Sequence, residues 1–98
     1  MTFEKREEII SLYDAYSLLL TEKQRQYFES YYFDDLSITE ISSNFEVSRN
    51  AVFDQLKRVN QILVEYEEKL HLIEKMKKIE HLEISSKLKE EIRNILKE

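Results

Sequence analysis

A short polar stretch in the middle of this 98-residue chain carries the side chains best suited to binding chemistry. Arg and Asn can each form two hydrogen bonds to one base edge, and Lys can neutralise a phosphate. A hydroxyl residue at the start of a helix caps its amides, and a helix N-terminus attracts anions. The candidate contact residues for nucleic acid or a protein partner are Ser48, Arg49, Asn50, Phe53, Asp54, Lys57 and Arg58.

Two members of this set argue against a surface made for nucleic acid alone. The carboxylate of Asp54 repels phosphate, whereas an exposed Phe53 suits either base stacking in RNA or a protein hot spot. The simplest alternative for Arg49, Asn50 and Lys57 is an ordinary solvated helix face.

The charge distribution places any nucleic-acid contact in the second half of the chain. The net charge is −5. Residues 1–47 carry four basic and ten acidic side chains, whereas residues 48–98 carry eleven basic and ten acidic ones. Generic affinity for nucleic acid requires neutralised phosphates. The acidic first half is therefore excluded as a phosphate-binding surface.

Other candidate sites are weaker. His71 and His81 are ten residues apart, and the chain has no Cys, so we predict no metal site, no cofactor and no catalytic residue. Lys75, Lys77 and Lys78 form a basic cluster that we interpret as a solvated face, because glutamates dilute it. We assign the aromatic side chains of the first half to the core rather than to a base-stacking platform. They are Tyr13, Tyr16, Tyr27, Phe28, Tyr31, Tyr32 and Phe33.

The elements that must position the candidate residues are those of a helix-turn-helix at residues 37–58. Ser37 and Glu40 have the spacing of a capping box, and Ser48 is the expected cap of the next helix. The apolar residues that would pack the two helices across a steep crossing are Ile38, Ile41, Phe45, Val47, Val52 and Leu56.

The rest of the chain is predicted to be helical as well, giving an all-α fold in one domain, residues 1–98. The absence of Gly and Pro argues against sheets and elaborate turns. Thr2 is the expected cap of a first helix, and Thr21 with Gln24 that of a second. These helices and the helix-turn-helix form a head of about four helices.

The fourth helix is expected to be long, from residue 49 to 73 or beyond. Its apolar spacing continues through Val52, Leu56, Val59 and Leu63 to Ile73, so its distal half needs a partner. The candidates are a C-terminal helix at about 85–97, capped by Ser85 or Ser86, and a second copy of the chain, as in a homodimer through the long helix. No apolar run is long enough to span a bilayer and no signal sequence is evident, so we expect a cytoplasmic protein without membrane insertion.

Four segments of the sequence form a recognisable set: residues 20–24 (LTEKQ), 31–41 (YYFDDLSITEI), 47–54 (VSRNAVFD) and 66–71 (YEEKLH). Together they resemble the YlxM family of small bacterial helix-turn-helix proteins. The resemblance implies a fold similar to region four of sigma factors. Relatives usually carry Gly where this chain has Glu46. If that position needs a positive φ, Glu46 accepts a cost of about 1 kcal/mol. We favour instead a turn of different geometry, or a proteome in which glycine is simply scarce.

The resemblance also implies a non-enzymatic regulatory or accessory role in the signal-recognition-particle pathway, through nucleic-acid or protein binding. The implied partners are the particle's GTPase and its small RNA. One alternative is a DNA-binding transcriptional regulator that places the same helix in the major groove of duplex DNA. Another is a protein–protein adaptor whose helix-turn-helix no longer binds DNA.

Overall fold

The computed structural model describes residues 3–98, and all of their regular secondary structure is helical. The predicted cap at Thr2 lies outside the described residues. The elements are α1 (Phe3–Tyr16), a 3-10 turn (Ser17–Leu19), α2 (Glu22–Tyr32), α3 (Ile38–Phe45), α4 (Arg49–Leu70), α5 (Leu72–Glu80) and α6 (Ser86–Lys97). The all-α helix-turn-helix fold is confirmed, with a long fourth helix and a C-terminal helix.

Side-chain caps begin four of these helices where the sequence predicts them. Thr21 with Gln24 and Ser37 with Glu40 form complete capping boxes at α2 and α3. The Oγ of Ser85 accepts the amide of Leu88 at 3.1 Å and begins α6, and Ser48 does the same for α4. Each cap is typically worth about 1 kcal/mol, so these short helices have defined starting points.

Helix α4 is the central helix, and the part of its predicted apolar stripe from Val52 to Leu63 is buried. Val52 and Leu56 pack with Tyr27 of α2 and Ile41 of α3. The next two turns pack against α1 and α2 in a second cluster. Its buried members are Ile9, Tyr13, Tyr16, Leu20, Phe28, Tyr32, Val59 and Leu63. The stripe thereby ties the helix-turn-helix to the first two helices.

Most of the aromatic side chains form the core, as expected. Tyr13 stacks on Phe28 with ring centroids 4.1 Å apart, and its hydroxyl donates to Glu29 Oε1 at 2.6 Å. Burial and this hydrogen bond raise the pKa of Tyr13. Phe33 is the exception, because it is 46% exposed at the end of α2.

The prediction of a different turn geometry at Glu46 is wrong. Glu46 adopts the left-handed conformation, with φ 56° and ψ 44°. The amide of Val47 donates to the carbonyl of Ser42 at 3.0 Å, which closes the end of α3 in the manner of a Schellman motif. The turn therefore has the conformation that Gly adopts most easily, and a glutamate occupies it at a cost of about 1 kcal/mol.

The prediction of an uninterrupted helix to Ile73 or beyond is also wrong. Helix α4 ends at Leu70, because His71 is left-handed at φ 54° and the chain turns into α5. Tyr16 and Glu67 accept the first amides of α5, which a continuous helix would pair with its own carbonyls. Helix α1, which the apolar spacing did not suggest as a partner, covers the distal half of α4.

Candidate nucleic-acid or partner interface

The start of α4 is an exposed, capped helix terminus. The Oγ of Ser48 accepts the amide of Ala51 at 3.0 Å. The amides of residues 49 and 50 belong to the first turn, where an α-helix offers no carbonyl acceptor, so they point out of the helix end. Ser48, Arg49 and Asn50 are all exposed. An anionic group can approach this terminus without displacing any part of the described chain.

The candidate residues that follow lie in two parallel rows. Residues four apart lie on the same face of a helix. One row is Arg49, Phe53 and Lys57, and the other is Asn50, Asp54 and Arg58, all of them exposed. The structure thus brings all seven predicted residues together, Ser48 at the N-cap and the other six on the first three turns of α4.

Phe53 borders an apolar hollow that sequence reasoning did not anticipate. The hollow has a volume of about 340 Å³ and is lined by Tyr31, Tyr32, Ile38, Phe53, Leu56, Lys57 and Asn60. Phe53 is 55% exposed at its edge. The walls come from α2, α3 and α4, so adjacent residues give no signal of it. The one available hint is Phe53 itself, because a large apolar residue on a predicted solvent face is unusual.

Asn60 adds a polar residue to the lining of the hollow. Its Nδ2 donates to the hydroxyl of Tyr32 at 3.0 Å. Its Oδ1 is buried and has no hydrogen-bond partner among the described residues. Burying an unpaired acceptor has a cost, so the hollow combines an apolar lining with one unsatisfied carbonyl.

The electrostatics of the helix-turn-helix are balanced rather than basic. Residues 37–58 contain three basic and three acidic side chains. Arg49, Lys57 and Arg58 lie on α4, but Asp54 lies among them and Glu40 and Glu46 are exposed on α3 and its turn. Phosphate contacts are therefore limited to a few positions, and no broad cationic surface is available for non-specific duplex binding.

The remaining candidates lie outside this surface. Lys75, Lys77 and Lys78 are exposed on α5, where Lys78 Nζ lies 3.8 Å from Glu74 Oε1. Within residues 3–98 no group of three or more His, Asp or Glu side chains is placed to hold a metal ion. No helix in the same part of the chain is long and apolar enough to cross a membrane.

The family pattern and the individual relatives that match this chain all belong to one family. The sequence pattern of the UPF0122 family, described as "Putative helix-turn-helix protein, YlxM / p13 like", matches residues 3–98. A UPF0122 protein of Exiguobacterium sp. is 50% identical over 82 residues, covering 84% of this chain and 77% of that protein. One of Halalkalibacterium halodurans is 52% identical over 81 residues (83% and 72%), and one of Bacillus pumilus is 47% identical over 90 residues (92% and 80%). This chain belongs to the UPF0122 family of YlxM/p13-like helix-turn-helix proteins.

Proposed function

We propose that this protein is a non-enzymatic accessory or regulatory component of the signal-recognition-particle pathway. It acts by docking the exposed start of α4 on a partner. The pathway is supported by the resemblance to the YlxM family. The mode of action is supported by one observation: Ser48, Arg49, Asn50, Phe53, Asp54, Lys57 and Arg58 form one continuous exposed surface on a capped helix.

The favoured partner of this surface is the particle's small RNA. The helix terminus and Arg49 suit a phosphate, Lys57 suits the next one along the backbone, and Phe53 suits an unstacked base. Asn50 can read a base edge. The balanced charge of the motif favours such a compact contact over long-range attraction to duplex DNA.

The test compares binding of three probes at two salt concentrations: the small particle RNA, a DNA duplex and the particle GTPase. Arg49→Ala with Lys57→Ala should weaken the RNA complex and flatten its log–log salt dependence by about two units, one for each lost phosphate contact. Lys75→Ala with Lys77→Ala removes the same charge elsewhere and is the matched control. Unchanged RNA affinity and salt slope in the first variant would exclude this surface.

A protein partner is the second candidate, supported by Phe53 and its apolar hollow. Hot spots of protein interfaces are buried aromatic anchors in well-packed pockets. If the particle GTPase occupies the hollow, Phe53→Ala should weaken its binding by at least about tenfold, and the complex should survive nuclease treatment. Binding of the duplex DNA probe alone would instead support the transcriptional-regulator hypothesis.

A further inference from the structure

The outward face of α4 continues beyond the seven residues of the proposed contact. Residues three and four apart lie on the same face of a helix. The positions that continue this face after Phe53 are Lys57, Asn60, Gln61, Val64, Glu65 and Glu68. Phe53 and Glu68 lie roughly 22 Å apart along the helix, at a rise of 1.5 Å per residue. The face is therefore long enough to pack against another helix of about four turns.

Two adjoining hollows lie along this face. The first is the apolar hollow of about 340 Å³ beside Phe53. The second is more open, has a volume of about 600 Å³, and is lined by residues of α4 from Lys57 to Glu68. Lys57 and Asn60 line both hollows, which therefore form one continuous groove. We call it the α4 groove.

The α4 groove is apolar at the end nearer the helix-turn-helix. Tyr31, Ile38, Phe53 and Leu56 supply the apolar lining there. Val64 lies eleven residues after Phe53, which is three turns along the same face, and is 40% exposed. A partner helix that packs along the groove would therefore meet one deep apolar contact and a second, shallower one.

The other end of the α4 groove is acidic. The charged residues of its lining are Lys57, Glu65 and Glu68, and the two glutamates lie together at the end away from Phe53. Both are exposed, and neither forms an ion pair with another described residue, although Lys69 follows Glu68 in sequence. Carboxylates repel phosphate, so this end favours a cationic protein segment over RNA.

From these features we infer that the α4 groove binds an amphipathic helix of a partner protein. The helix places a large apolar side chain in the hollow beside Phe53 and basic side chains against Glu65 and Glu68. Recognition of this kind uses anchors along one face of the bound helix. The basic residues then lie 12 and 15 positions from the apolar anchor, the separations of Glu65 and Glu68 from Phe53. The inference rests on the protein-partner form of the proposed function, whose partner chemistry it specifies.

The charges of the groove favour such a partner over a second copy of the chain. A second copy presents the same lining, with two carboxylates and one lysine. Pairing of two identical linings would leave one carboxylate of each chain without a cation. A helix with two basic residues supplies a partner for both Glu65 and Glu68.

The test measures binding of synthetic alanine-based helical peptides of about 18 residues to the full chain by fluorescence anisotropy. One peptide carries Phe followed by Lys at 12 and 15 positions further on, and a second carries the same residues in reverse order, for the opposite helix direction. Each is also made with Glu in place of both Lys, and with Ala in place of Phe. At least one Lys peptide should bind, and its Glu and Ala versions should each bind at least about tenfold more weakly.

Charge reversal in the protein then locates the contact. Glu65→Lys with Glu68→Lys should reverse the preference, so that the Glu peptide binds better than the Lys peptide. Glu90→Lys with Glu91→Lys makes the same change of charge at exposed positions of α6 and is the matched control, which should keep the preference for Lys. Circular dichroism checks folding. Glu65→Gln with Glu68→Gln is the milder variant and should reduce the preference.

Failure of both Lys peptides to bind at up to millimolar concentration would overturn the inference. So would equal binding of the Lys and Glu peptides, or a preference that the α6 control removes. Sedimentation equilibrium of the wild type is run alongside. Self-association that Glu65→Lys with Glu68→Lys abolishes would assign the groove to a second copy and would also overturn it. RNA binding is measured separately with Arg49→Ala, outside the groove, and GTPase binding with its own probe, so each proposal can fail alone.

Discussion

Two helix junctions in this chain each contain a left-handed residue, but the helix that follows is capped in a different way in each. Glu46 ends α3 at φ 56° and His71 ends α4 at φ 54°, and neither is a glycine. After Glu46 the next helix is capped locally by Ser48. After His71 the next helix begins at once, and the side chain of its N-cap residue accepts none of its amides.

The second junction is completed by one residue of the last turn of α4, Glu67, and by one residue of α1, Tyr16. The hydroxyl of Tyr16 accepts the amide of Leu72 at 3.0 Å, across 56 residues of sequence. The two carboxylate oxygens of Glu67 accept the amides of Ile73 and Glu74, at 3.0 and 3.3 Å. Tyr16 also donates to Glu67 at 2.5 Å. A local cap depends on neighbours in sequence, whereas this tertiary cap, which combines Glu67 with Tyr16, is complete only once α1 has packed on α4.

The largest expected effect comes from breaking the tertiary cap. Glu67→Ala removes the acceptor of Tyr16 and of two amides, and hydrogen bonds to charged groups are the strong ones. We expect a loss of about 2–3 kcal/mol in the free energy of unfolding, measured with urea. Glu68→Ala, at the exposed neighbouring position, is the control and should change it by less than about 0.5 kcal/mol. Equal effects of both variants would contradict the cap.

The next effect is a dependence on pH carried by the same carboxylate. Burial raises the pKa of Glu67, but hydrogen bonds from Tyr16 and from the amides of Ile73 and Glu74 outweigh it and hold the pKa below its ordinary value of 4.5. A lowered pKa means stabilisation that is present above 4.5 and lost as the pH falls through the folded-state pKa.

Unfolding free energies measured from neutral to acid pH should therefore fall more steeply below 4.5 for the wild type than for Glu67→Gln. Glu65→Gln is the matched exposed control and should retain the wild-type slope. Parallel curves for the wild type and Glu67→Gln would argue against this carboxylate as the source.

A smaller effect is expected at the local cap. Ser48→Ala should cost about 1 kcal/mol, because the amide of Ala51 loses its acceptor at an exposed helix end. Ser43→Ala, on the exposed side of α3, is the control. If Ser48→Ala proved as damaging as Glu67→Ala, the distinction between the two junctions would not hold.

The smallest effect compares the two left-handed residues that end α3 and α4. Glu46→Gly should stabilise the protein by about 0.5–1 kcal/mol, since glycine adopts this conformation without a Cβ penalty. His71→Gly should gain less, because it also loses the contact between His71 Nδ1 and Glu74 Oε2 at 3.2 Å. Thermal unfolding of both variants measures the two gains in stability. A larger gain for His71→Gly than for Glu46→Gly would contradict this prediction.

The sequence predicts the local caps but not the tertiary cap. The caps at Thr21, Ser37 and Ser48 lie within four residues of what they bond, so their spacing indicates them. The buried stripe of α4 follows from helical periodicity. The break at His71 leaves no such signal, because apolar residues continue at the same spacing on both sides of it.

The candidate surface was predictable in position but not in shape. A helical period places residues such as Asn50 and Asp54 away from the core, and the structure has them exposed. The hollow beside Phe53 depends on how α2 and α3 meet α4, which no local pattern encodes. Phe33, which we assigned to the core, follows the last residue of α2 and is 46% exposed, although its ring packs edge-on against Tyr13 and Phe28. That the seven residues bind a partner stays a prediction.

The phenol–carboxylate bonds of α1 give the protein an optical signature. It has six tyrosines and no tryptophan, so ultraviolet absorbance on alkaline titration reports tyrosine ionisation alone. Burial and the bond to Glu67 raise the pKa of Tyr16 to about 12, and the pKa of Tyr13 is also raised. These two phenols favour the folded state below an ordinary pKa of 10, and that preference is lost as the pH rises through their folded-state values. A step in phenolate absorbance at the alkaline end of the titration would therefore report the separation of α1 from the rest of the protein.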